Sequence, residues 1–124
     1  MSSQSTTTDV AALIDRYIAV WNETDPAARR ALIDVTWAEN ATYRDPALEG
    51  SGRDGIDAMT AGFQRAYPGH TFERSDEPQI SRHEQRFGWR LLTLTGEVFL
   101  TGEDVYELSA DGLLQSIVGT VDQP

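Results

Sequence analysis

The spacing of apolar residues changes once along this chain, and that change limits the folds open to it. Up to Tyr67, outside one short stretch from Trp37 to Asp45, they recur every three or four positions; from His70 onward they alternate. Val10, Leu13, Ile14, Tyr17, Ile18 and Trp21 predict a first helix, with Thr8 as its N-cap and Asp9 favourable in its first turn. Asn22-Glu23-Thr24 breaks the pattern. Asp25-Pro26 then starts a shorter helix carrying Ala28, Leu32 and Val35. Ile56, Met59, Phe63, Ala66 and Tyr67 predict a third, stopped by Pro68-Gly69.

Between the second and third helices, Trp37 to Asp45 reads as a short strand and Pro46 to Gly55 as a loop. Beyond His70 the chain is strand-like throughout. His70 to Glu77 runs into Pro78, which demands an edge, bulge or bend, and Gln79 to Arg82 continues it. Phe87, Trp89 and Leu91 alternate on the next strand. Thr95-Gly96-Glu97 turns it into a long strand, Val98 to Leu108. Ala110-Asp111-Gly112 is the strongest hairpin signal, and Leu113 to Val121 is the last strand. Gly88 and Gly102 sit mid-strand, where glycine often marks a bulge. Helices first and strands after predict an α+β domain, with a bent antiparallel sheet folded over the helices.

At 124 residues there is material for one domain and a core that needs no staple. Residues 1–8 read as a disordered, solvated tail on a cytoplasmic protein. That stretch has neither the basic start nor the apolar run of a signal peptide. Residues 9–124 form the single domain. No apolar run approaches the ~18 residues of a membrane span. With no Cys, disulfides and thiolate chemistry are excluded. With no Lys, so is a Schiff base. A net charge of −10 opposes binding to nucleic acid or to an anionic membrane.

Three residues stand out for chemistry. Alternation groups Val98, Leu100, Gly102, Asp104, Tyr106 and Leu108 on one, mostly apolar, face of the long strand. An acid there should have a raised pKa and so could donate a hydrogen bond. Alternatively, a bulge at Gly102 turns Asp104 to water, or Arg90 on the neighbouring strand points inward and keeps it ionised. Tyr17 lies on the apolar face of the first helix, so its hydroxyl needs a partner; a backbone carbonyl or solvent would suffice. Asp45 ends the first strand, held extended by Pro46. It is either a turn residue or a general base. His70 and His83 have no partner at metal-ligand spacing, and no dinucleotide, phosphate or nucleophile-elbow motif is present, so neither metal nor cofactor is expected.

Together these positions resemble a known family. Asp15-Arg16-Tyr17-Ile18-Ala19-Val20-Trp21-Asn22 with Asp25, Glu39-Asn40-Ala41-Thr42-Tyr43-Arg44-Asp45-Pro46, Gly52 with Ile56, and Gly102-Glu103-Asp104-Val105-Tyr106-Glu107-Leu108 with Asp111-Gly112 are similar to segments of the nuclear-transport-factor-2-like superfamily. The resemblance covers nearly all of the chain beyond its tail. It implies a cone, a curved antiparallel sheet around a long helix, enclosing a mostly apolar pocket, and often a homodimer. Within the superfamily, the chain most resembles the steroid Δ-isomerases and the SnoaL-like polyketide cyclases. The isomerase likeness implies an oxyanion hole of Tyr17 and protonated Asp104, with Asp45 moving the proton and no cofactor. It further implies an apolar ligand bearing a carbonyl, with Trp21, Phe63, Trp89, Phe99 and Tyr106 in the pocket. A cyclase, or a non-catalytic binding or dimerisation module, are the other readings.

Overall fold

A computed structural model describes residues 6–76, 79–80 and 85–122. The elements follow the order α1 (Thr6–Asn22), α2 (Pro26–Thr36), β1 (Trp37–Arg44), β2 (Glu49–Ser51) and α3 (Gly52–Ala66). They continue with β3 (Thr71–Arg74), β4 (Gln79–Ile80), β5 (Gln85–Leu92), β6 (Val98–Leu108) and β7 (Leu114–Val121). This is the predicted α+β arrangement, three helices packed against one sheet.

Local chemistry explains most boundaries. At α2, Asp25 accepts a hydrogen bond from the Ala28 amide at 2.8 Å and Pro26 opens the first turn. The helix α1 starts at Thr6, two residues ahead of the predicted cap at Thr8. At its other end, Asn22 leaves the apolar pattern for a reason. Its amide donates to the Phe72 carbonyl and its oxygen accepts from the Phe72 amide, at 2.9 and 2.8 Å. The side chain thus ties the end of α1 to β3. The predicted loop 46–55 is shorter than expected, because β2 and the first turn of α3 occupy its second half. Gly52 makes that strand-to-helix switch at φ +72°, a left-handed conformation open to glycine at little cost.

The sheet runs β2-β1-β7-β6-β5-β3, with β4 pairing on β5. It is antiparallel except between β1 and β7, which are parallel, so the expected all-antiparallel sheet is in fact mixed. Alternation within one strand cannot reveal which way its neighbour runs. Register is continuous through Gly88 and Gly102. The irregularities fall instead between Leu91 and Leu92 and between Glu107 and Leu108. Gly102 serves close approach rather than a bulge: a Cβ there would collide with the Thr120 carbonyl and the Trp89 ring.

The register also arranges the inner face in rows. Trp89, Gly102 and Val121 face one another across β5, β6 and β7. One row further on stand Phe87, Asp104 and Gly119. Beyond that, Tyr106 pairs with Ile117, which pairs with Tyr43 of β1. Against this face α1 presents Leu13, Ile14, Tyr17 and Trp21, all buried. Among the described residues, no helix is long and apolar enough to cross a membrane.

Candidate active site

Tyr17 reaches the sheet from the middle of α1. Its ring stands edge-on to Trp37 and to Phe87, with centroids 5.7 Å away in both cases. Its hydroxyl donates to Asp104 Oδ2 at 2.7 Å, 87 residues away in the chain. Asp104 is only 2% exposed, so it faces inward and the water-facing alternative is excluded. Arg90 does not reach it: the guanidinium points outward and pairs with Glu73 across β3 and β5 at 2.7 Å.

Burial without a counter-charge pushes the Asp104 carboxyl up to about 7. Desolvation is the dominant cause, the Tyr17 hydrogen bond and then the nearby Trp89 indole pull the other way, and the charge of Asp45 adds to the rise. Asp104 Oδ1 is buried and has no hydrogen-bond partner in the protein. It lies over Gly119, its register partner on β7. A Cβ on Gly119 would stand 2.7 Å from Oδ1, 3.3 Å from the Tyr43 hydroxyl oxygen and 3.3 Å from Asp45 Cβ. Three site residues, one on β6, one on β1 and one in the turn after β1, therefore converge on one glycine.

Asp45 is both things the sequence allowed. As a turn residue, its Oδ1 accepts from the Ala47 and Leu48 amides at 2.8 and 2.7 Å. As a site residue, its Oδ2 accepts from the Tyr43 hydroxyl at 2.6 Å and the side chain borders the cavity. Sequence reasoning overlooked Tyr43. The signal was available, since Ala41 and Tyr43 alternate inward on β1, the strand that leads into Asp45. Both tyrosine hydroxyls are raised above their ordinary value, first by burial and then by the nearby carboxylates.

A cavity of about 690 Å³ opens from this cluster, in the range of small-molecule sites. Trp21, Phe63 and Trp89 line it, together with Phe72 and one face of α3. Phe99 and Tyr106, expected in the pocket, lie outside its wall. Phe99 is the extra residue where Leu91 pairs with Leu100 and Leu92 with Val98. It lies half exposed against Tyr67 and His70. Tyr106 sits one row beyond Asp104, buried against Phe87 beneath the cavity floor. Among the described residues, no group of three or more His, Asp and Glu side chains could hold a metal ion. His83 lies outside the described residues, and His70 sits in the turn after α3 with Nδ1 3.2 Å from the Pro68 carbonyl.

Chemically, the cluster offers one carboxyl near neutrality, a second fixed carboxylate, and an apolar space beside them. Such a pair can hold a carbonyl oxygen and move a proton.

No protein-family model matches the chain, and no curated protein gives a significant match. Solved structures do. One is a protein from Agrobacterium tumefaciens provisionally assigned as an isomerase of the SnoaL-like family. It is 35% identical, with 94% of this chain and 99% of that one covered, at a TM-score of 0.87. An NTF2-like protein of unknown function from Exiguobacterium is 21% identical, covering 90% and 99%, at 0.71. A provisionally assigned polyketide cyclase from Sinorhizobium meliloti is 12% identical, covering 91% and 97%, at 0.68. The last two establish the fold alone. With the first matched along nearly its whole length, the chain belongs to the SnoaL-like family.

Proposed function

We propose that the protein is a cofactor-independent enzyme that shifts a proton next to a carbonyl in an apolar small molecule. The observation that carries this reading is Asp104: buried, hydrogen-bonded by Tyr17 on one oxygen, without a hydrogen-bond partner on the other, and in the wall of a largely apolar cavity. A substrate carbonyl oxygen accepts a hydrogen bond from protonated Asp104, with Tyr17 bracing the same carboxyl. Asp45 takes a proton from the adjacent carbon. The C–H electrons form the new C=C bond, and the carbonyl π electrons move to oxygen, where charge develops against the Asp104 donor. Returning that proton from Asp45 to a different carbon completes the isomerisation. The isomerase assignment of the 35%-identical relative agrees with this chemistry.

The test is turnover of bicyclic β,γ-unsaturated ketones, followed by absorbance of the conjugated product. Removing one oxyanion donor should lower the rate about 10²- to 10³-fold, so Asp104→Leu should do so with the fold intact. Asp45→Asn should abolish solvent-deuterium exchange at the α-carbon. If the wild-type protein neither isomerises nor exchanges any of these ketones, the proposal is wrong. The polyketide-cyclase assignments of the more distant structures favour a second reading, aldol closure by the same two carboxyls. Turnover of a polyketide ester, with none of the ketones, would select it.

A further inference from the structure

Aromatic rings form an unbroken ladder from the polar end of the cavity to the protein surface. Tyr43, whose hydroxyl holds Asp45, stands 5.5 Å from Trp21 between ring centroids. Trp21 stands 5.4 Å from Phe63, Phe63 5.0 Å from Tyr67, and Tyr67 6.1 Å from Phe99. Exposure rises along the ladder, from 6% at Tyr43 to 40% at Tyr67 and 48% at Phe99. The first four rings line the cavity and Phe99 stands just beyond it. Along α3 the lining runs from Gly55 to Ala66, about 16 Å at the helical rise, whereas a sphere of the cavity's volume would be about 11 Å across. The cavity is thus a trough, and Tyr67 marks its outer end.

The surface at that end is apolar. Among the described residues, four of the six exposed large apolar side chains belong to the end of α3 or to the hairpin between β5 and β6: Tyr67, Leu94, Val98 and Phe99. The register irregularity beside Leu91 and Leu92 takes Phe99 out of the strand's alternation, while Leu100 next to it keeps its place in the cavity wall. His70 stands edge-on to both Tyr67 and Phe99. Leu94 lies over Gly69, where a Cβ would collide with it. The turn after α3 and the hairpin therefore meet in one apolar shelf, continuous with the trough through Tyr67.

We propose that this shelf is a distal ligand subsite. The ligand is then an elongated molecule: its polar group sits at the Asp45 end of the trough, and its apolar far end, alkyl or aryl, leaves past Tyr67 and lies across Phe99 and Leu94. Covering these side chains removes apolar surface from water, which favours such an end. A second copy of the chain fits less well, because a specific interface takes about 20–30 residues a side and the shelf offers four exposed side chains. The net charge of −10 opposes an anionic membrane. The inference rests on the reading of the cavity as a carbonyl site, and it adds the length of the substrate and the chemistry of its far end.

The experiment measures affinity for 4-phenylcyclohexanone and for its 4-(4-alkylphenyl) homologues with propyl, pentyl and heptyl chains, read by the fluorescence of Trp21 and Trp89 on the trough wall. A fully buried methylene is worth about fourfold, so a partly covered pentyl chain should raise affinity at least ~10-fold over the parent ketone. In Phe99→Ser that ratio should fall below about threefold. Leu94→Ser, at a more exposed position, should lower it in the same direction, so a folding defect in one variant does not decide the result. Flat affinity along the series in the wild-type protein would overturn the proposal, as would the absence of binding by every homologue. So would a full gain retained in both variants, which would keep the chain inside the trough. Sedimentation equilibrium tests the other occupant: a dimer lost in Phe99→Ser would give the shelf to a second copy and overturn the proposal. A chain-length gain without deuterium exchange at the ketone α-carbon would uphold the shelf and count against the isomerase reading; exchange without the gain would do the reverse.

Discussion

At Asp104 one side chain carries both the proposed chemistry and a cost to stability. Its folded-state pKa of about 7 lies above the ordinary 3.8. Between those values the folded protein keeps a proton that the unfolded chain has released. Stability is therefore full below about pH 4, declines as pH rises to about 7, and is level beyond, a total of roughly 4 kcal/mol. Urea melts across this window should show that decline in the wild-type protein and lose it in Asp104→Asn. Equal pH dependence of the two would mean that Asp104 is hydrated in solution. Its inward direction was legible in the sequence, because Gly102, Asp104 and Tyr106 alternate with Glu103, Val105 and Glu107. Its partner was not. Tyr17 lies 87 positions away, and only the packing of α1 on β6 brings the two together. Tyr43 shows the converse: its inward face was readable, yet its role follows from a 2.6 Å contact with Asp45 that local pattern does not encode.

Between elements, the same logic centres on Arg29 of α2, which is nearly fully buried. It pairs with Asp57 of α3 at 2.9 Å and donates to the Glu23 carbonyl and to Gln64 Oε1. Gln64 in turn donates to the Trp21 and Glu23 carbonyls, closing the open C-terminal end of α1. This hub fixes the three helices to each other and so sets where Trp21 meets the cavity. Losing the charged partner should destabilise the fold by about 2–3 kcal/mol. Arg29→Met should accordingly melt at a lower urea midpoint, with a shifted tryptophan emission. A change under about 0.5 kcal/mol, the scale of a surface substitution, would show that the helices are held by apolar packing alone. In the sequence Arg29 is one arginine of an Arg29-Arg30 pair. Its neighbour is half exposed and pairs with Asp34 and Asp54, and only the helix packing tells the two apart.

For the whole molecule, the cavity is what the sheet leaves when it closes over the helices without filling the space. Its helical wall is partly small residues, including Gly55, Ala58 and Gly62 of α3. A Cβ at Gly62 would meet nothing closer than the Arg65 guanidinium at 3.7 Å. Gly62→Leu should therefore keep or raise the melting temperature, since glycine costs a helix about 1 kcal/mol. The new side chain should also weaken 4-phenylcyclohexanone at least ~10-fold by occupying its space, the order expected for a few buried methylenes. Unchanged affinity in a folded variant would place the ligand elsewhere.

The three helices, the α+β class and the inward faces of β1, β5 and β6 followed from the chain alone, because period and capping are properties of neighbours in sequence; the short β2 did not. Local signals also put Tyr17, Asp45 and Asp104 among the candidates. Other features depended on contacts between residues far apart in the chain. Parallel pairing of β1 with β7 is one, since alternation reads the same in either direction. The exclusion of Phe99 and Tyr106 from the cavity is another: it follows from a one-residue irregularity in β6 and from which row of the sheet lies beneath the floor. Above all, the joining of Asp104 to Tyr17, and the gathering of Asp104, Tyr43 and Asp45 over Gly119, required the assembled sheet with α1 packed on it. Burial raises a pKa only after distant segments have excluded water from the group, so the chemistry of this site arises from packing.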